Sequence, residues 1–146
     1  MTVYITEKFR ERLLKNNIDV DVFKEMFGDF KDGPPLGSKY FGKDVGYEAP
    51  LVAGKSFVLK HVHMIPQTDQ DALERWNQAY KSRSQKTSDR ALVYVTNALG
   101  DHLLLWMLEE PLAHKIAKMR EPADAQLMQA FALIAAEFLR DGSIIS

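Results

Sequence analysis

The chain has four histidines, and two of them stand at i and i+2 in His61-Val62-His63. On an extended strand such side chains point the same way, so two imidazoles sit side by side. The pair could form half of a metal site, an acid/base couple or a grip for phosphate. A catalytic metal normally needs three protein ligands, and His102, His114, Asp89 or Glu48 would have to supply the third from elsewhere. A second cluster is Lys81-Ser82-Arg83-Ser84-Gln85-Lys86-Thr87-Ser88-Asp89-Arg90. Asp89 cannot neutralise all of its cations, so some positive charge must face water or an anion. Trp76 and Tyr80 precede it, and cations that hold phosphates beside aromatic faces that take bases make a small nucleic-acid grip. Trp76, Tyr80, Lys81 and Arg90 are therefore candidate RNA contacts. His114-Lys115 opens a predicted helix, where a cationic pair adds to the preference of a helix N-terminus for anions. Plainer readings stand beside each of these: histidines hydrogen-bonded within a sheet, a solvated basic loop, and a local hydrogen bond for His102. The serines show no nucleophile-elbow pattern.

Charge distribution sharpens the picture. The 146 residues are 46% hydrophobic and 27% charged, with a formal net charge of −1. No global positive field therefore advertises a nucleic-acid partner. From Lys55 to Arg90, however, Lys55, Lys60, Arg75, Lys81, Arg83, Lys86 and Arg90 face Asp69, Asp71, Glu74 and Asp89, an excess of three cations. From Ala91 onward the carboxylates exceed the cations by three: Lys115, Lys118, Arg120 and Arg140 face Asp101, Glu109, Glu110, Glu121, Asp124, Glu137 and Asp141. A basic middle permits an anion site there. The absence of cysteine excludes disulfides, Cys-ligated metals and thiol nucleophiles. No apolar run approaches the roughly 18 residues of a membrane span, and acid and base interrupt the N-terminus before a signal core could form. The chain reads as a cytoplasmic protein with no membrane partner.

The elements that must position these residues follow from periodicity. Val3-Tyr4-Ile5 is a short strand, and Thr6 caps a helix over Glu7 to Lys15. Asp19 caps a second helix, whose Val20, Phe23, Phe27 and Phe30 share a face until Gly33-Pro34-Pro35 stops it. Residues 33–54, rich in glycine and proline, read as a long irregular loop that packs against the domain and is no linker. Phe57 to Ile65 alternates as a strand, and Thr68 to Asp71 signals a helix carrying Ala72, Leu73, Trp76 and Tyr80. Arg90 to Thr96 and His102 to Leu108 form a hairpin about Asn97 to Asp101. Pro111 starts a helix through Met119, and Gly142 closes a last helix after Pro122. Grouped helices and hairpin-joined strands predict one α+β domain over 1–146, with a small antiparallel sheet, two N-terminal helices and C-terminal helices.

Taken in order, several segments resemble the YafO family of type II toxin–antitoxin toxins. They are Phe30-Lys31-Asp32-Gly33, Phe41-Gly42-Lys43-Asp44, His61-Val62-His63-Met64, Lys86-Thr87-Ser88-Asp89, Leu92-Val93-Tyr94 and His114-Lys115-Ile116-Ala117-Lys118. Lys86 stands where the family's pattern suggests arginine, and Thr68 to Tyr80 departs from it. The resemblance implies a RelE/ParE-like fold, a cognate antitoxin, and ribosome-dependent cleavage of mRNA without metal or cofactor. On that reading His61 and His63 transfer protons, Arg83 and Lys86 stabilise the phosphate, Tyr94 or His114 orients the substrate, and Asp89 holds a basic neighbour. Lys115 joins the RNA contacts. Two other classes fit the same residues: a toxin of this fold that blocks a protein target without catalysis, and a metal- or small-ligand-binding domain built on His61 and His63.

Overall fold

The structure, a computed structural model, describes residues 1–145; Ser146, the last residue of the expected 1–146 domain, lies outside them. The elements run β1 (Val3–Ile5), α1 (Glu7–Lys15), α2 (Val20–Asp32), β2 (Phe41–Gly46), β3 (Lys60–Met64), α3 (Gln70–Lys81), β4 (Ala91–Thr96), β5 (His102–Leu108), α4 (Ala113–Ala117) and α5 (Pro122–Asp141). This is an α+β fold. The strands lie in the order β1-β5-β4-β3-β2, and from β2 through β5 each is antiparallel to its neighbour.

The sheet is mixed, which corrects the antiparallel expectation at β1: Val3 pairs with His102 and Ile5 with Leu104 in parallel. No turn joins β1 to β5, so nothing forces opposite directions. Instead α1 and α2 carry the chain across one face, from the β1 edge to β2 at the far edge. Phe9, Leu13, Phe23 and Phe27 bury there against Val62, Leu92, Tyr94 and Leu104. Burying each such side chain contributes about 1.5–3 kcal/mol. The other face takes α5, whose Met128, Phe131, Ala135 and Phe138 meet Val93, Val95, Leu103 and Leu105. Strand alternation separates the two cores: Leu92 and Tyr94 serve the first, Val93 and Val95 the second.

Local signals explain the boundaries. The Thr6 side chain accepts the Phe9 N–H at 3.4 Å, and Asp19 accepts that of Val22 at 3.0 Å. α3 is capped by Asp69, which accepts the Ala72 N–H at 3.1 Å. Thr68 does not cap it; its own N–H, like that of Gln67, goes to the Glu110 carboxylate at 2.5 Å. The predicted helix from Pro111 shortens to Ala113–Ala117, and Gly142, at φ 81°, ends α5.

The largest departure is β2, which lies inside the stretch expected to be irregular. Its glycines serve close approach. A Cβ on Gly42 would sit 2.2 Å from the Lys86 carbonyl oxygen, and one on Gly46 would sit 2.4 Å from that of Phe57. Phe57 itself lies outside β3, at φ 66°.

Candidate active site

β3 pairs His61 with Val93 and His63 with Ala91, so both imidazoles emerge on the α5 side of the sheet. Their rings stack 5.5 Å apart, and Tyr47 lies almost parallel on His61 at 3.9 Å. A third ring, His114 of α4, stands 5.5 Å from His63. α4 is a single short turn, and the connection before β4 fixes its position. One Asp89 carboxylate oxygen accepts both the His114 backbone N–H at 2.7 Å and its ring Nδ1–H at 2.8 Å. The preceding residue holds the other histidine: the Ser88 N–H donates to His63 Nδ1 at 2.9 Å. Ser88 is itself tied down, its hydroxyl donating to the Met64 carbonyl at 2.6 Å.

These partners fix opposite tautomers. An ionised carboxylate only accepts, so the His114 ring, when neutral, carries its proton on Nδ1 and has its lone pair on Nε2. A backbone N–H only donates, so Nδ1 of His63 must accept, and the neutral ring carries its proton on Nε2. Burial, reinforced by the charges of His114 and Lys43, lowers the His63 pKa to about 4. Protonation at Nδ1 would also break the bond from Ser88. His61 is likewise lowered to about 4, chiefly by burial and then by His63 and His114. Its Nδ1 is buried and has no hydrogen-bond partner among the described residues.

His63 and His114 line a cleft of about 630 Å³ whose walls also include Lys43 from β2, Arg75 from α3, and Thr87, Ser88 and Asp89. Asp69 and Glu110 complete its charged lining. Two cations thus stand against three carboxylates, all of them engaged by backbone N–H groups. Among the described residues, no three His, Asp or Glu side chains are placed to hold one metal ion.

The remaining residues singled out from sequence lie elsewhere. His61 stands behind His63, outside the cleft lining. Arg83 borders a separate hollow with Tyr80, Lys81 and the Pro34–Gly37 turn. Lys86 is 1% exposed, its ammonium 5.9 Å from the Trp76 ring centre and 5.8 Å from that of Tyr80. Trp76 is buried, its Nε1–H donating to the Lys39 carbonyl at 2.7 Å, so it has no free face for a base. Tyr94 belongs to the core on the opposite face, where its hydroxyl meets Asp44 and Lys31. Arg90 is buried, bonding Glu109 at 2.7 Å and the Ile65 carbonyl at 3.2 Å. Lys115 pairs with Glu121 and Asp124 at 3.1 and 3.2 Å. The cleft's own cations, Lys43 and Arg75, were not among the residues singled out. Lys43 was hidden because glycine-rich β2 read as loop. Arg75 was hidden because one arginine on a helix full of charges carries no signal.

The cleft sits within a recognisable stretch of sequence. Residues 27–140, from α2 into the last turn of α5, match the family described as toxin YafO, type II toxin–antitoxin system. Toxins of that class act as one half of a pair whose other half is an antitoxin. The chain belongs to the YafO toxin family. No curated protein matches it. Among solved structures, a conserved hypothetical protein from Helicobacter pylori, HP0892, shares 20% identity over 75% of this chain and 94% of its own, with a TM-score of 0.39. Among the described residues, no helix is long and apolar enough to cross a membrane.

Proposed function

We propose that this toxin is a ribosome-dependent endoribonuclease that cuts mRNA in the cleft between β3 and α4, halting translation until its cognate antitoxin restrains it. The carrying observation is the pair of imidazoles 5.5 Å apart, held in opposite tautomers by consecutive residues. RNA contains its own nucleophile, so a protein need only take a proton from the 2′-hydroxyl and stabilise the charge that grows on the phosphate. His114 Nε2 is the base. As it takes the proton, Asp89 stabilises the resulting imidazolium, and the 2′-oxygen bonds to phosphorus. His63 Nε2–H donates to a phosphate oxygen, with Lys43 and Arg75 adding charge. The bond to the 5′-oxygen then breaks, and that oxygen takes a proton from water in the open cleft. The products are a 2′,3′-cyclic phosphate and a 5′-hydroxyl.

Dependence on the ribosome follows from the charge count. With three carboxylates against two cations, the cleft has little power to capture a free polyanion. A message already held and aligned removes that burden. The protein in translating extracts is therefore expected to cut mRNA far faster than in naked RNA. His63→Ala and His114→Ala are each expected to relieve growth arrest when induced without antitoxin. Equal cleavage of free and translated RNA, or full arrest by both variants, overturns this reading.

A further inference from the structure

A second hollow, of about 280 Å³, opens on the α2 side of the sheet, across the edge strand β2 from the cleft, and shares Lys43 with it. The end of α2, the turn after it, β2 and the Gln85–Lys86 segment form its walls. Its charged lining is Lys31, Lys43 and Lys86 against a single carboxylate, Asp44. That carboxylate is already occupied. Lys31 Nζ donates to one oxygen at 2.7 Å, and the Tyr94 hydroxyl donates to the other. Neither Lys43 nor Lys86 has a carboxylate partner among the described residues.

Lys86 is the more telling of the two. It is almost wholly buried, yet its ammonium meets two aromatic rings and no hydrogen-bond acceptor among the described residues. Burial also lowers its pKa, so the charge is held at a cost. A buried charge of this kind calls for a counter-charge. The backbone keeps Lys86 beside Lys43, whose N–H donates to the Lys86 carbonyl at 2.9 Å. Gly42 lets β2 and the Gln85–Lys86 segment approach so closely, since any Cβ there would also meet Trp76 at 2.9 Å. The stronger attraction for an anion therefore lies across the β2 edge from the imidazoles, not among them.

We propose that this hollow is a phosphate subsite that takes the phosphodiester flanking the scissile one, with Lys43 spanning both sites and Lys86 as a positioning residue. The identity of the anion as RNA rests on the nuclease reading above; the unmatched positive charge does not. An RNA strand passing over the β2 edge at Lys43 would put one phosphate on each side of it. Inorganic phosphate offers the same chemistry, and the two sources separate experimentally.

The test uses the full chain, at concentrations that saturate weak binding, and a fluorescent RNA hexanucleotide made uncleavable by 2′-deoxy substitution; a strand that does not bind wild type even there overturns the proposal. Neutral methylphosphonates replace its phosphates one at a time, and affinity is read by anisotropy. Wild type is expected to lose about tenfold at one position flanking the 2′-deoxy site, the scale of a lost charge-assisted hydrogen bond. Lys86→Met should bind the unmodified strand about tenfold more weakly, ignore the methylphosphonate, and show a salt slope smaller by about 0.7. Lys86→Arg should restore both. A flat methylphosphonate scan on wild type, which needs no variant to fold, overturns the proposal, as does a folded Lys86→Met that keeps wild-type sensitivity. Stabilisation by inorganic phosphate together with a flat scan would assign the hollow to a free anion and refute the RNA subsite. If the scan behaves as expected but translating ribosomes yield no cut message, the nuclease reading fails while the subsite stands. Cut message with a flat scan fails the subsite alone.

Discussion

Replacing Asp89 with asparagine isolates the electrostatic part of the proposed mechanism. The side chain keeps its shape, and its carbonyl oxygen can still accept the His114 backbone N–H now made at 2.7 Å. Two things are lost. The negative charge that stabilises the transient imidazolium disappears, and an amide NH₂ turned toward Nδ1 would reverse the ring's tautomer, removing the Nε2 lone pair. Two unit charges about 4 Å apart interact by about 4 kcal/mol at an effective dielectric of 20, and by about 1 kcal/mol in bulk water. Side-chain exposures of 57% for His114 and 34% for Asp89 place this pair between those limits. A loss of about 2 kcal/mol in transition-state stabilisation follows, or about thirtyfold in rate. Single-turnover cleavage of a ribosome-bound message, followed by primer extension, measures it. Asp89→Asn at wild-type rate, beside an inactive His114→Ala, would refute the dyad and leave His114 some other role.

Acid should destabilise the fold in a defined window. His61 and His63 titrate near 4 when folded, against an ordinary value of 6.5, so the unfolded chain takes up protons first. Stability is full above about pH 6.5 and falls toward pH 4, by about 2 kcal/mol per ring at about pH 5; urea midpoints across that range report it, and a flat profile contradicts the buried neutral pair. Gly42→Ala forces a Cβ into the Lys86 carbonyl and should cost about 1–3 kcal/mol, read in the same denaturation assay. Arg75→Ala should slow cleavage about tenfold or more while leaving the thermal midpoint unchanged within a few degrees, since the arginine lines the cleft and makes no ion pair within 4 Å among the described residues. Trp76→Phe loses the 2.7 Å bond to the Lys39 carbonyl and should cost about 1 kcal/mol of stability, read as a lower urea midpoint.

Much of this architecture was legible because local rules and tertiary packing agree. β4 and β5 read as strands from near-continuous apolar runs bounded by a glycine-containing turn, and α5 ends at the glycine that a left-handed cap requires. β2 was not legible, because glycine in a strand usually signals weakness, whereas here it marks backbones pressed together at Lys86 and Phe57. The direction of β1 was hidden for another reason: its partner lies about a hundred residues away, and no local turn encodes the pairing. The site shows the same division. His61 and His63 share a face by strand geometry alone. The approach of His114 to His63 depends on Asp89 reaching across to α4, a long-range contact that no spacing reveals. Lys86 stands in a basic run that looks solvated, yet it is buried against Trp76 and Tyr80 because the loop folds back under β2.

The sharpest test of the cleavage chemistry is the structure of the RNA ends. Message recovered from a translating extract treated with the toxin should carry new 5′-hydroxyl termini opposite 2′,3′-cyclic phosphates. Both should vanish when His63 and His114 are replaced together by alanine. Translation that stops with every message intact, or ends bearing 5′-phosphates, would contradict attack by the 2′-hydroxyl in this cleft.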